Sequence, residues 1–411
     1  MSNHTSIDCY YTELSSEQKK IIRGYASWME ILGNLPVGVT GILLNCITVI
    51  VFSTPTMRNN FFNRLLMTLA VCDNIYLSCE ILDVLRHRHH SFGLQNAFVY
   101  FLYPLRSVFM LSSILMTVAL SMERYMAVVH PAEHYGRCTG DVRRRHFYYV
   151  FSVLSFSLIY NLPKFFDFRV NTVERCVVVN MTTNVNITNY NNSLASQQQC
   201  VTMYVLIATK IRFNYFYVLW YINILNFIFT IILPGSVLIY LNSKIYSSWN
   251  SFCQRQPSFR RRDTHSIPSN DQITSHPHPI AERKRFILFS IVIVFMMSHV
   301  LRVILNIDEL MNITKYREEH QKGCYGVKMW IQICLPLNQL SIMFNSSTNF
   351  FIYVIFDPGF QKVLKQMYEN VTELIQGVLR HRQVLDFRSR PNNQVNNNEE
   401  IELNNIIPAE I

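Results

Sequence analysis

The stretch Ala119–Gly136, ALSMERYMAVVHPAEHYG, decides how the chain is read. A run without formal charge, Ser107 to Met122, stops at Glu123, Arg124 and Tyr125 and then meets Pro131 and a basic loop. An acid and an arginine side by side at the edge of a membrane-length segment need a physical reason, because charge near a bilayer is costly and usually marks function.

Working outward, half of the residues are hydrophobic and 16% are charged, against roughly 25% charged in a soluble domain. Uncharged stretches close to the roughly 20 residues of a bilayer crossing run over Ile31–Phe52, Phe147–Pro163, Phe213–Ser243 and Met329–Phe356. Three others, interrupted by isolated charges, run over Phe61–Leu85, Ala97–Met122 and Phe286–Ile307. The pattern predicts an all-α membrane protein with seven spans. Residues 1–30 are polar and mixed in charge, unlike a signal peptide, so the first span is expected to double as the insertion signal.

Basic residues set the expected orientation. With the N-terminus outside, the inner loops hold Arg58 and Arg64, then Arg137, Arg143, Arg144 and Arg145, then Lys244, Arg255, Arg260 to Arg262, Arg283, Lys284 and Arg285. The net charge of +10 then follows from orientation and the anionic inner leaflet of the lipid bilayer, and no nucleic-acid partner is needed. Glycosylation signals at Asn3, Asn180, Asn186, Asn191 and Asn312 all fall outside in this topology, whereas Asn345 and Asn370 do not and should stay unmodified. Cys9, Cys176, Cys200 and Cys324 also fall outside, where disulfides persist, while Cys138 and Cys253 face reducing cytoplasm. Four outer cysteines allow three pairings; Cys176 with Cys200 and Cys9 with Cys324 is the favoured one.

The expected layout is an extracellular tail (1–30), a seven-span domain (31–356), an amphipathic membrane-surface helix (357–380) and a disordered cytoplasmic tail (381–411). Phe360, Val363, Leu364 and Met367 recur at helical spacing with Lys362 and Lys365 between them, as in a helix lying on the inner membrane surface. The Asn-rich ending RPNNQVNNNEEIELNN predicts disorder.

The second span carries Asp73, Tyr76, Glu80 and Asp83 at offsets that put all four on one helical face. Such a face cannot point at lipid. Asn45, Ser113, Asn345, Ser346 and Asn349 offer partners from other spans, and two readings stay open for Asp73. It is ionised around a small cation held by hard oxygen ligands, or protonated and hydrogen-bonded between helices. Toward the outside lie Arg106, Arg302, Asp308 and Glu309. Arg106 either neutralises Glu80 or Asp83 or meets a ligand. With Tyr100, Tyr103, Tyr217 and Tyr221 these residues predict a polar, aromatic-rimmed pocket for a ligand with charge and an aromatic group.

No Gly-rich phosphate loop, H-E-x-x-H or G-x-S-x-G turn occurs, so no enzyme motif competes. In RHRHH, Arg86 to His90, the arginines disfavour a metal cation, and a loop histidine cluster of this kind is expected to be solvated.

Taken together, these residues resemble the rhodopsin-like (class A) G-protein-coupled receptors over nearly all of residues 30–370. Glu123, Arg124 and Tyr125 are similar to that family's D/E-R-Y triplet. The resemblance implies that Glu123 holds Arg124 in an ion pair at rest and that Arg124, once freed, lines the site where a heterotrimeric G protein docks, with Tyr353 in the seventh span. Asn45, LAVCD ending at Asp73, and Pro234 match the family's marks in helices one, two and five. Asp73, Ser113, Asn345, Ser346 and Asn349 occupy the positions implied for an allosteric sodium ion.

Within the family, TPTMRNNFFNRLL, YPL (Tyr103–Leu105), NLPKFF (Asn161–Phe166), SHVLRVILNIDE (Ser298–Glu309) and NSSTNFFIY (Asn345–Tyr353) look like invertebrate FMRFamide-type neuropeptide receptors. The chain also departs from the family. Phe350 replaces the seventh-helix proline, which predicts a less kinked helix. Leu301 replaces the sixth-helix proline, His299 the toggle tryptophan, and Val99 the third-helix disulfide cysteine. The last departure is why a disulfide inside the second outer loop is favoured.

The resemblance implies a plasma-membrane receptor for a short neuropeptide of Arg-Phe-amide type with no cofactor beyond sodium, and the charges of the outer pocket make Glu80, Asp83, Arg106, Arg302 and Glu309 the candidate ligand contacts. An orphan receptor of the same class with another ligand or basal activity stays open. From other classes there remain a seven-span chemosensory channel, with its N-terminus inside, and a transporter, which should show paired repeats.

Overall fold

The computed structural model describes residues 14–88, 91–138, 141–179, 197–254, 279–321 and 328–388. The chain runs through α1 (Ser16–Ser53), α2 (Phe61–Arg88) and α3 (Phe92–Val129), then α4 (Val142–Asn161) and a hairpin of β1 (Phe168–Val179) and β2 (Gln197–Ala208). It continues through α5 (Tyr217–Ser248), α6 (Phe286–Lys315), α7 (Met329–Phe356) and α8 (Pro358–Arg388). Among the described residues, α1, α2, α3, α5 and α6 are long and apolar enough to cross a membrane. Arg143, Arg144 and Arg145 at the start of α4, and Gln332, Asn338, Gln339, Asn345 and Asn349 along α7, lower the mean hydropathy of the other two. Both still pack into the bundle, α4 against α3, and α7 against α1 and α6. The seven-helix membrane bundle expected from the sequence is the fold.

Helix α3 is the hub, packed against α2, α4 and α5. Two apolar clusters knit the centre. Tyr76 and Leu77 of α2 meet Ile342 and Met343 of α7, and Ile114 of α3 meets Leu238 of α5 with Val292 and Phe295 of α6.

Close packing of α1 depends on glycine. A methyl on Gly41 would overlap the Ser347 hydroxyl and the Leu77 side chain, and one on Gly38 would come within 2.9 Å of Ile81 and Met343. In lipid, where apolar burial does not drive helix association, such small residues let backbones approach. Gly41→Val should therefore part α1 from α7 and remove most correctly folded protein from the cell surface, while Gly24→Val, with nothing near its Cβ, should express normally. Equal surface levels for the two variants would contradict this packing account.

Three prolines shape the rods. Wide π-helical turns at Met29–Asn34, Phe98–Leu102 and Ile228–Ile232 each end two residues before a proline, Pro36, Pro104 or Pro234. A proline cannot donate to the carbonyl four residues back and its ring crowds that carbonyl, so the preceding turn opens. Helix α1 also starts before the expected boundary at Ile31. Ser15 accepts from the Gln18 amide at 3.2 Å and Gln18 Oε1 accepts from the Ser15 amide at 3.0 Å, a reciprocal cap that starts the helix at Ser16.

The sixth span breaks despite lacking its proline. Two helices, Pro279–Ser298 and Val300–Gln321, meet at His299. The Phe295 carbonyl accepts from the His299 backbone amide at 3.2 Å and faces its ring Nδ1 at 2.9 Å. This side-chain competition for a ladder acceptor loosens the turn. Helix α7 runs unbroken through Phe350, as its missing proline predicts, and carries Pro336 inside it.

From Gly359 the chain forms a second unit. Its helix extends past the expected limit of residue 380 to Arg388 and leaves Val371, Leu374, Ile375 and Val378 exposed.

Candidate functional site: a charged pocket, a buried aspartate and an arginine at the opposite end

Between α2, α3, α5, α6, α7 and the segment after α4 lies a cavity of about 280 Å³. Tyr76, Tyr103, Tyr160 and Tyr221 supply aromatic wall, and Met110, Leu305, Leu335 and Ile342 supply apolar wall. Its charged lining is Glu80, Arg106, Lys164, Arg212, Arg302 and Glu309.

The polar face of α2 turns inward as its spacing requires, with Asp73 and Glu80 almost fully buried. Arg106 of α3 bridges Glu80 at 3.3 Å and Asp83 at 3.2 Å. Asp83 also meets Arg86 at 2.7 Å, and the Arg86 guanidinium lies over the Phe98 ring at 4.0 Å. Arg106 thus neutralises these acids, and it also lines the cavity. Glu309 is different, since its contact is with Asn223 Nδ2 at 3.5 Å and, among the described residues, it forms no ion pair. Arg302 donates to the Met110 sulfur at 3.3 Å, a weak acceptor. Asp308 pairs with Lys328 at 2.7 Å.

Above the pocket a hub forms that sequence reasoning missed. Asp167, fully buried just before β1, accepts from the hydroxyls of Tyr103 at 3.0 Å and Tyr217 at 2.6 Å and lies 3.4 Å from Arg212 Nη1. Tyr217 is thereby drawn to Asp167, Tyr103 and Tyr221 line the cavity, and Tyr100 is exposed. Lys164, Asp167 and Arg212 come from two segments far apart in sequence, so no local spacing announced them. The lone Lys164 in NLPKFF, at the end of an uncharged span, was the one available signal.

The antiparallel hairpin sets Cys176 directly opposite Cys200. Opposed residues in such a pair have Cα atoms about 4.5–5.5 Å apart, inside the range a disulfide bridges. Cys9, Cys324, Asn3, Asn180, Asn186 and Asn191 lie outside the described residues. Asn312 lies within α6, its amide donating to the Asp308 carbonyl at 2.8 Å, a helical setting rather than the loop its signal implies.

Midway down the bundle, Asp73 accepts from Ser113 at 2.7 Å and Asn349 at 2.8 Å and also bonds Ser346. Asn45 donates to the Ser346 carbonyl at 2.9 Å, fixing α7 against α1. The described bonds to this carboxylate include none from Asn345, whose carbonyl accepts from Thr348 at 3.2 Å.

At the far end the expected Glu123–Arg124 ion pair is not formed. The short helix Pro131–Cys138 folds back so that His134 Nε2 meets Glu123 at 3.0 Å, and Arg145 of α4 meets the same oxygen at 3.5 Å. With Glu123 engaged, Arg124 lays its guanidinium on the Phe62 ring at 3.6 Å, with Nε buried and lacking a hydrogen-bond partner. Tyr125 faces His130 at 3.3 Å. Tyr353 is fully buried, edge-on to Phe52 at 5.4 Å.

Seven membrane helices around a polar pocket, with a central aspartate and a terminal arginine, resemble the rhodopsin-like G-protein-coupled receptors. No family model matches the chain. Among curated proteins it is similar to the FMRFamide receptor of Drosophila melanogaster, 28% identical over 336 residues, covering 80% of this chain and 51% of that protein. It is also similar to an FMRFamide peptide receptor of Caenorhabditis elegans, 22% identical over 82% of this chain and 68% of the relative. A shorter match, 33% identical over 131 residues, is to neuromedin-U receptor 2 of Rattus norvegicus. The chain thus spans about half the length of the Drosophila relative it matches. The resemblance is to FMRFamide-type receptors in particular.

Proposed function

We infer that this chain is a plasma-membrane receptor, not an enzyme, that binds a short neuropeptide of the Arg-Phe-amide type in the cavity and signals through a heterotrimeric G protein. The N-terminus is outside, so the hairpin and cavity face the peptide and the Arg124 end faces the G protein. The names of the Drosophila and Caenorhabditis relatives support the ligand class.

The observation that carries the ligand chemistry is Glu309, a pocket carboxylate without an ion-pair partner among the described residues. A guanidinium fits such a group in a forked, charge-assisted pair, and Tyr160 and Tyr221, 5.5 Å apart, offer aromatic faces to a phenyl ring. The cavity lies near the lower end of the roughly 300–1,000 Å³ common for ligand sites, so it holds the end of a peptide and leaves the rest near the hairpin. Peptide favours an arrangement in which the far helix ends open, a population shift set by its difference in affinity for the two states. Arg124 then leaves Phe62 for the G protein, with Glu123, Tyr125 and Tyr353 shaping the same end.

Asp73, Ser113 and Ser346 bring hard oxygens together while Asn349 holds the carboxylate through its amide nitrogen, a setting that suits a sodium ion. Bound there, sodium would neutralise the buried carboxylate and favour the resting arrangement.

Glu309→Gln should lower Arg-Phe-amide potency roughly tenfold or more, as removal of a buried charge partner does. Glu80→Gln should act less directly, through Arg106. Unchanged potency of Glu309→Gln at matched surface level would contradict this placement of the peptide.

The hairpin register supports a Cys176–Cys200 disulfide. Mass spectrometry of unreduced receptor fragments should recover these two cysteines cross-linked; finding them as free thiols, or joined to Cys9 or Cys324, would remove that pairing. Glycosylation of Asn186 or Asn191 would place the hairpin outside and exclude the channel topology. An orphan receptor of the same class remains the runner-up, supported by the histidine at the sixth-helix break.

A further inference from the structure

The cavity carries more positive than negative charge in its lining, four basic side chains against Glu80 and Glu309. Two of the four are already matched. Arg106 bridges Glu80 and Asp83, and Arg212 meets Asp167 and lies 5.5 Å from the centre of the Phe168 ring. Lys164 and Arg302 are left. Among the described residues neither forms an ion pair, and the hydrogen bond described for Arg302 goes to a thioether. Two such cations in one cavity repel each other and stay costly to desolvate until an anion reaches them.

We propose that Lys164 and Arg302 form a seat for a carboxylate of the peptide ligand, so that the pocket reads a dipolar peptide, its guanidinium at Glu309 and its carboxylate here. This rests on the receptor reading above and adds a requirement that reading lacks, since an Arg-Phe-amide end alone has no anion. Two sources can supply the carboxylate, an acidic side chain upstream of the amidated end or a free C-terminus. Arg302 offers forked geometry to both carboxylate oxygens, and Lys164 adds a point charge. Residues around a desolvated ion pair discriminate strongly, because a ligand lacking the charge leaves both cations uncompensated.

The test uses the full chain in cells with a G-protein reporter, at measured surface level, and three synthetic probes. These are Phe-Met-Arg-Phe-amide, Asp-Phe-Met-Arg-Phe-amide and the free acid Phe-Met-Arg-Phe. The expected result is a potency advantage of about tenfold for one carboxylate-bearing probe over the plain amide. Which one identifies the source. Lys164→Gln and Arg302→Gln should erase that advantage, so that the carboxylate-bearing probe and the plain amide become equipotent within each variant, and Arg302→Lys should recover part of it. Where Arg302→Gln does not reach the surface, Lys164→Glu gives the independent reading, because it should reverse the preference toward Lys-Phe-Met-Arg-Phe-amide, which a purely structural lysine would not do. Activation by all three probes without a carboxylate advantage, or equal loss for all three in the variants, overturns the seat and leaves the receptor reading intact. Silence of every probe at wild-type receptor on the surface overturns the Arg-Phe-amide reading, and the seat with it.

Discussion

Arg124→Ala is expected to abolish agonist-driven G-protein signalling while peptide binding stays within about threefold of wild type. The geometry explains why the two should separate. Arg124 lies at the end of α3 opposite the cavity, its guanidinium on the Phe62 ring at 3.6 Å and its Nε without a hydrogen-bond partner. A cation–π contact is worth only about 0.5–2 kcal/mol, so removing it costs the fold little. Glu123 does not depend on Arg124 either, being held by His134 at 3.0 Å and Arg145 at 3.5 Å. Among the described residues Arg124 forms no ion pair, so its release from the Phe62 ring breaks none there. Saturation binding and a reporter assay on the same cells check this. Retained signalling at normal surface level would mean that Arg124 is not what the G protein meets.

Asp167→Ala should be the most damaging change at the pocket end, lowering peptide potency by about a hundredfold or removing the protein from the surface. Asp167 is fully buried and joins three elements through Tyr103 of α3, Tyr217 of α5 and Arg212. Hydrogen bonds to a charged group contribute roughly 1.5–3 kcal/mol each, and the change leaves two phenols and a guanidinium without their shared acceptor. Val99 stands one helical turn before Tyr103, where the resemblance leads one to expect a disulfide cysteine. This non-covalent clasp ties the start of the hairpin to α3 in its place. Tyr217→Phe, which removes one of the bonds, should lose much less than Asp167→Ala. Wild-type potency for Asp167→Ala would show that the clasp does not order the pocket.

Much of this was legible from local pattern. The inward face of α2 follows from the spacing of Asp73, Tyr76, Glu80 and Asp83, and Asp73 does meet Ser113, Ser346 and Asn349. Contacts between distant segments were not legible. His134 reaches Glu123 only because a short helix turns back after α3, and Asp167 gains its partners only when α3, α5 and the hairpin converge. The wide turns ahead of Pro36, Pro104 and Pro234 were readable in principle, since each follows from the missing proline amide. The break at His299 was not, because it arises from a side chain competing for the Phe295 carbonyl where no proline stands.

Receptor function is decided by challenging cells that display this chain and carry broad G-protein reporters with a panel of amidated neuropeptides, with Arg124→Ala alongside. The expected result is a saturable, dose-dependent response to Arg-Phe-amide peptides that disappears in Arg124→Ala. Silence to the whole panel from protein shown to be on the surface, or a response that persists in Arg124→Ala, would contradict it.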